Sequence, residues 1–252
     1  VTIIVHAGHH EHQQVAAKHM VAGLERHGLT VRWNEHRPCD VAIVWGGKQR
    51  ERVVGEAGHV LVMERGHVGD RMAMTSCGWD GLGRRGHYPR ATDGGARWRA
   101  RYHALMAPWT ERVGYVLVIG QVDGDAALGG LDVARWRVEI EQALVARGHV
   151  PKFRPHPVMA RPRRSLAEDL SGAELCVTYN STTGVEAVLA GVPTVTLDPG
   201  AMAWPVTVHE LEAPPLRPDR TAWAADLAWT QWTLEEIANG DAWAALEPVR
   251  EG

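Results

Sequence analysis

The sequence predicts an α/β protein of two similar halves, each a mostly parallel sheet with helices on its faces. Three observations predict it. Two short continuous apolar runs, residues 1–5 and 115–120, read as buried parallel strands and open the two halves. After each run, strand-like and helix-like segments alternate, which is how a parallel sheet with covering helices reads in sequence. The 252 residues, 45% hydrophobic and 23% charged, are enough for two cores of ordinary globular composition.

In the first half, the strand at 1–5 leads into a helix at about 11–27. There Val15, Met20, Val21 and Leu24 recur at helical spacing, and Gly28 stands where a helix-ending glycine would. Strands follow at 30–33, 41–45 and 60–63, with a helix at 48–56. The pattern breaks at Glu64. Residues 64–95 are rich in Gly and Arg and read as a long functional loop; a helix at 96–106 then ends before Pro108. In the second half, the strand at 115–120 is followed by a helix at 132–147, a strand at 150–154 and a short helix at 165–170. A strand at 175–179, a helix at 185–190 and a strand at 194–197 complete the core. The tail carries helices at 220–228 and 234–238. The expected domains are two Rossmann-like units, residues 1–110 and 111–210, with a helical tail, 211–252, packing back toward the first. Ligands bind such sheets in the cleft outside the carboxyl ends of the strands.

No apolar run approaches the ~20 residues that a membrane helix needs, so no membrane insertion is expected. Cys39, Cys77 and Cys176 are scattered, odd in number and without metal-ligand spacing, which fits a reducing, cytoplasmic setting. The net charge of −3 hides an uneven distribution. Residues 84–103 hold six arginines and a single acid, Asp93; residues 152–164 hold five basic residues and no acid. The tail from Glu210 reverses this, with nine acids against three arginines. Such asymmetry is that of a basic face turned toward an anionic partner.

The most informative stretch is residues 179–193. A buried strand ends at Tyr179, the turn Asn180-Ser181-Thr182-Thr183-Gly184 follows, and a helix starts at once. A helix N-terminus offers free N–H groups and partial positive charge to a phosphate. Ser181, Thr182 and Thr183 add hydroxyls, Gly184 lets a ligand approach the backbone, and Glu186, one turn in, can reach ribose hydroxyls. The competing reading is that Ser181 or Thr182 only caps the helix.

The pattern Asn-Ser-Thr-x-Gly-x-Glu-Ala-x-Leu-x-Gly-x-Pro resembles the donor-site signature of GT-B glycosyltransferases. It is most similar to the capsule-polysaccharide and Kdo-transferase-like branch, which is itself similar to bacterial sialyltransferases. Residues 118–125, Val-Ile-Gly-Gln-Val-Asp-Gly-Asp, resemble the glycine-glutamine loop of that branch. Phe153-Arg154-Pro155-His156-Pro157 resembles its lysine-proline-histidine-proline motif, with Arg154 where the motif has lysine. The resemblance implies a GT-B fold and a UDP- or CMP-linked sugar as donor substrate, with no tightly bound cofactor and no metal. It implies that His156 holds or protonates the leaving phosphate together with Ser181 and Thr182. Glu186 would bind the ribose, Gln121 would line the donor pocket, and Arg154 would lie near the phosphate.

The acceptor half is read from the first domain. Inverting transfer needs a base for the acceptor hydroxyl. Glu64, directly after a strand, ranks first, with Asp70 and Asp80 behind it. His6 and His9 could face the acceptor. With His10 and His12 they could instead bind zinc, although no distant ligand completes such a set. Trp79, Tyr88, Trp98 and Tyr102 interleave with Arg84, Arg85, Arg90, Arg97, Arg99 and Arg101. Arginines among aromatics suit a sugar polymer or a nucleic acid. Size and arginine density resemble the small bacteriophage glycosyltransferases that modify hydroxymethylated pyrimidines, so DNA is the expected acceptor and a cell-envelope or capsule saccharide the alternative. A non-catalytic nucleotide-sugar binding module is a third reading.

Overall fold

The computed structural model describes residues 1–250. The chain divides into two compact units: Val1–Arg101 together with the chain from Ala224 onward, and Tyr102–Trp223. The first segment of the first unit ends at Arg101, and its second segment begins inside the helix at Thr221–Leu227.

In the first unit the chain runs through β1 (Ile3–Val5), α1 (Glu11–Arg26), β2 (Val31–Trp33), β3 (Cys39–Trp45), α2 (Gly46–Val53), β4 (Ala57–Arg65), β5 (Met74–Trp79) and α3 (Ala96–Arg101). β1 to β4 pair in parallel, and β5 turns back antiparallel on β4. Alternation places Ile3, Val5, Val41, Ile43, Leu61 and Met63 on one face, packed on Met20 and Leu24 of α1. Ala42, Val44, Val60 and Val62 line the other face with Val53 of α2. Both faces are buried, which is why these strands read as unbroken apolar runs.

The second unit contains β6 (Tyr115–Ile119), α4 (Val133–Ala146), β7 (Pro151–Arg154), α5 (Leu166–Ser171), β8 (Ala173–Thr178), α6 (Thr183–Leu189) and β9 (Thr194–Thr196). Its sheet is wholly parallel, in the order β7-β6-β8-β9. Val116, Val118 and Val177 face Trp136, Ile140 and Leu144 of α4, while Leu117, Ile119 and Cys176 face α5 and α6. Local chemistry sets the helix starts. Asp132 caps α4 by accepting the Arg135 amide at 2.9 Å, and Ser165 with Glu168 forms a capping box on α5.

The unit boundary lies within α7 (Thr221–Leu227), after which β10 (Gln231–Thr233), α8 (Leu234–Asn239) and α9 (Asp241–Leu246) complete the first unit. β10 pairs antiparallel with β5, giving a six-stranded sheet in the order β10-β5-β4-β3-β1-β2. Sequence periodicity missed β5 and β10. Met74-Thr-Ser-Cys-Gly-Trp79 carries neither an apolar run nor an apolar–polar alternation, yet all six residues are buried. Their strand state comes from pairing on both edges rather than from local propensity.

Candidate active site

In the second unit the motif segments meet at the carboxyl edge of the sheet. β6 is followed by Gly120, where a Cβ would stand 2.7 Å from the Phe153 ring, so glycine allows β7 to pack this closely. The next residue, Gln121, donates to Asn180 Oδ1 at 2.7 Å and accepts the Asn180 amide at 3.1 Å. Asn180, two residues after β8, uses both side-chain N–H groups as well. One donates to the Ala127 carbonyl at 2.7 Å and the other to Asp198 Oδ2 at 2.7 Å. Asp198, two residues after β9 and buried, accepts the Gly200 amide at 2.9 Å with its other oxygen. Asn180 therefore ties together the loops that follow β6, β8 and β9. Sequence reasoning quoted Asn180 within the motif without giving it a role, and missed Asp198. The signal was positional, since each is the first or second polar residue after a buried strand.

Ser181 sits in the turn before α6. Its amide donates to Thr178 Oγ1 at 3.1 Å, and its hydroxyl accepts the Thr183 amide at 3.2 Å. That bond is a capping role, while Ser181, Thr182 and Thr183 all remain partly exposed at the strand edge. Gly184 is buried, and a Cβ there would lie 3.2 Å from the Thr178 methyl. Its missing side chain lets α6 pack close to β8. Glu186 lies close enough to the buried Cys176 thiol to add to the effect of burial, which together push that thiol up to about 12.

His156 follows β7. Its Nδ1 accepts the Val158 amide at 3.2 Å, so the neutral ring carries its proton on Nε2. Arg154 instead lies in an ion pair with Asp169 and donates to the Arg164 carbonyl at 2.9 Å. Lys152 reaches the same carboxylate at 2.7 Å. Burial opposes ionisation of Asp169, yet hydrogen bonds and charge from Lys152 and Arg154 hold it below the usual carboxylate range.

In the first unit, Glu64 closes β4 at the carboxyl edge. A Cβ on Gly46 would lie 3.3 Å from Glu64 Oε2, so the carboxylate rests against the start of α2. Gly46 has φ +75°, a further reason for glycine there. Asp70 accepts the Met72 and Ala73 amides in its own turn. Asp80, at φ +60°, accepts the Val60 amide at 2.8 Å, well down β4 from Glu64. All three bonds hold local backbone in place. Glu64 and the loop that carries Asp70 lie at the carboxyl end of β4, where ligands bind such sheets, whereas Asp80 lies toward the opposite end.

His6 is buried with its ring 5.4 Å from His36; burial first, and the His36 charge second, lower its pKa. His9 is exposed, while His10 stacks on His12, which meets the edge of Trp45. Among the described residues no group of three or more His, Cys, Asp or Glu could hold a metal ion.

The arginine-rich segment departs from the basic, aromatic face expected. Trp79 is fully buried, donating to the Leu246 carbonyl at 2.8 Å, and cannot stack on a ligand. Arg97 donates to Glu236 at 2.6 Å and lies over the Trp232 ring; Arg101 reaches the same carboxylate at 2.8 Å. Arg90 pairs with Asp226, and Arg99 donates to the Gly94 carbonyl. Arg84 and Arg85 are exposed in a short 3-10 turn. The acids of the tail neutralise much of this cluster, a pairing that charge counts along the chain do not reveal. Glu236 also caps α8 by accepting the Thr233 amide at 2.8 Å. Burial works against its ionisation, but the bonds from Arg97 and Thr233 and the two arginine charges hold it below the usual range.

No family model matches the chain, and no curated protein matches it. Solved structures do. The chain is similar to Thermosulfurimonas dismutans KpsC, beta Kdo 2,7 transferase, with a TM-score of 0.62 at 14% identity over 97% of this chain and 99% of that one. It is also similar to Thermosulfurimonas dismutans KpsC, beta Kdo 2,4 transferase, with a TM-score of 0.58 at 16% identity over 94% and 97%. The chain thus shares its fold, from end to end, with two sugar transferases.

Proposed function

We propose that the chain is a glycosyltransferase of the GT-B kind, moving a sugar from a nucleotide donor to a saccharide of the cell envelope or capsule. The observation that carries this reading is that three distant motif segments follow neighbouring parallel strands at one sheet edge: Gln121 after β6, His156 after β7 and Asn180 to Thr183 after β8, with Gln121 bonded to Asn180. The likeness in fold to two Kdo transferases along their full length supports it.

In the reaction, the bond from the sugar to the nucleotide phosphate breaks and a bond to an acceptor oxygen forms. The leaving phosphate gains negative charge in the transition state. His156 Nε2–H and the hydroxyls of Ser181, Thr182 and Thr183 supply hydrogen bonds to it. Glu186 is assigned to the ribose. Gln121 and Asn180 hold the loops in place, since their amide groups are largely used on one another. Glu64 is the assigned base for the acceptor proton. The sequence resemblance weights the donor toward a cytidine nucleotide, with uridine as the other arm of the test.

A saccharide acceptor displaces the hydroxymethylated DNA expected from the arginines. Arg90, Arg97 and Arg101 are paired with Asp226 and Glu236 within the first unit, which offsets two of their three charges and weakens the case for duplex binding. Nucleotide release across a panel of CMP- and UDP-linked sugars, with saccharide acceptors present, tests the proposal. Acceptor-dependent release from at least one donor is expected, and its loss in His156→Ala. Donor binding without release from any member of the panel would favour a binding module instead.

A further inference from the structure

The loop between β7 and α5, residues 155–164, is built around more than His156. Arg154 donates to the Arg164 carbonyl across ten residues and anchors to Asp169, so the loop is closed at its base. Its first turn is hydrogen-bonded, with the Met159 and Ala160 amides donating to the His156 carbonyl at 2.9 and 3.1 Å. Pro155, Pro157 and Pro162 restrict it further. Compact loops of this kind normally pack their own apolar side chains inward. Here they point out: Val158 is 76% exposed and Met159 59% exposed, side by side.

Arg161, Arg163 and Arg164 follow, all exposed. Arg164 reaches Glu168 only at 4.0 Å, and neither Arg161 nor Arg163 forms an ion pair or side-chain hydrogen bond with another described residue. Residues 152–164 contain no acid. An ordered loop with an apolar tip and unpaired cations behind it matches a surface that is anionic outside and apolar just beneath. A nucleic acid would use the arginines but gives Val158 and Met159 no partner.

We propose that residues 158–164 form a docking loop for an anionic lipid bilayer, inserting Val158 and Met159 at the headgroup boundary while Arg161, Arg163 and Arg164 meet the lipid phosphates. No helix among the described residues is long and apolar enough to cross a membrane, so the attachment is to the surface. The assignment stands apart from the proposed reaction, because binding to vesicles is measured without donor or acceptor.

The test is co-sedimentation of the intact chain with phosphatidylcholine vesicles, with and without phosphatidylglycerol. Binding is expected only with the anionic lipid. Each cation near such a surface strengthens partitioning about fivefold, so R161Q/R163Q is expected to weaken it roughly 30-fold. V158S/M159S is expected to weaken it by roughly tenfold or more, with an unchanged thermal midpoint because both side chains are already in water. Inorganic phosphate is not expected to release the bound chain. Absence of binding to the anionic vesicles overturns the proposal, as does binding that either double variant leaves unchanged. Arginine-dependent binding to duplex DNA that ignores V158S/M159S would assign the loop to nucleic acid instead.

Discussion

Asn180 has one side-chain acceptor and two donor hydrogens, and all three are used, on Gln121, Ala127 and Asp198. Its replacement by alanine leaves the Gln121 and Asp198 side chains short of partners and is expected to cost about 2–3 kcal/mol in urea denaturation. Asn180→Asp is smaller in shape change but is expected to be worse, since it removes both donors and sets a carboxylate against Asp198. A denaturation midpoint for Asn180→Asp equal to wild type would remove Asn180 from this role. Donor affinity is expected to fall in both variants, because the loop after β6 loses the bond from Asn180 to the Ala127 carbonyl. At this scale the sequence was partly legible. Gln121, His156 and Asn180 stood out by motif, whereas the partner that completes the network, Asp198, needs the folding of β9 beside β8 to become visible. Arg154 was legible as a cation but not as the residue that closes its own loop.

At the scale of elements, α3 and α8 are joined through one carboxylate. Glu236 caps α8 and receives Arg97 and Arg101, with Arg97 and Glu236 only 11% and 14% exposed. Removing one member of a buried pair strands the other. Glu236→Ala is therefore expected to destabilise by about 3–5 kcal/mol, and Arg101→Ala by ~1 kcal/mol or less because Arg101 is more exposed. Equal effects in calorimetry would contradict this division. The strongly periodic helices were legible to within a residue or two, as with α1 and α4. β5 and β10 were not, because their burial is decided by neighbours distant in sequence. The same distance hid the match between the arginines near residue 97 and the acids of the tail, which turned an expected binding face into internal ion pairs.

At the scale of the whole molecule, acid stability reports on a buried imidazole. His67 follows β4, lies edge-on to Tyr88, and has no hydrogen-bond partner for either ring nitrogen among the described residues. Burial, with a contribution from the Arg71 charge, lowers its pKa from 6.5 to about 3. The unfolded chain binds this proton below pH 6.5 while the folded chain does not. Stability is therefore expected to be flat in this respect above pH 6.5 and to fall as pH drops toward 3, by up to ~1.4 kcal/mol per unit. Glu236 and Asp169, whose folded pKa values are depressed, add their losses at lower pH, below the ordinary carboxylate range. The window just below pH 6.5 belongs to His67 with contributions from His6 and His12, whose pKa values are also lowered. His67→Phe is expected to flatten stability there, measured by urea midpoints across pH; an unchanged slope would assign the acid lability elsewhere.

Sugar transfer at the edge formed by β6, β7 and β8 is the central proposal, and mass spectrometry of the acceptor tests it most directly. A saccharide acceptor incubated with the chain and a panel of CMP- and UDP-linked sugars is expected to gain the mass of one glycosyl unit with at least one donor, and to gain nothing with His156→Ala. No mass gain from any donor, or a gain that His156→Ala leaves at the wild-type rate, would contradict it.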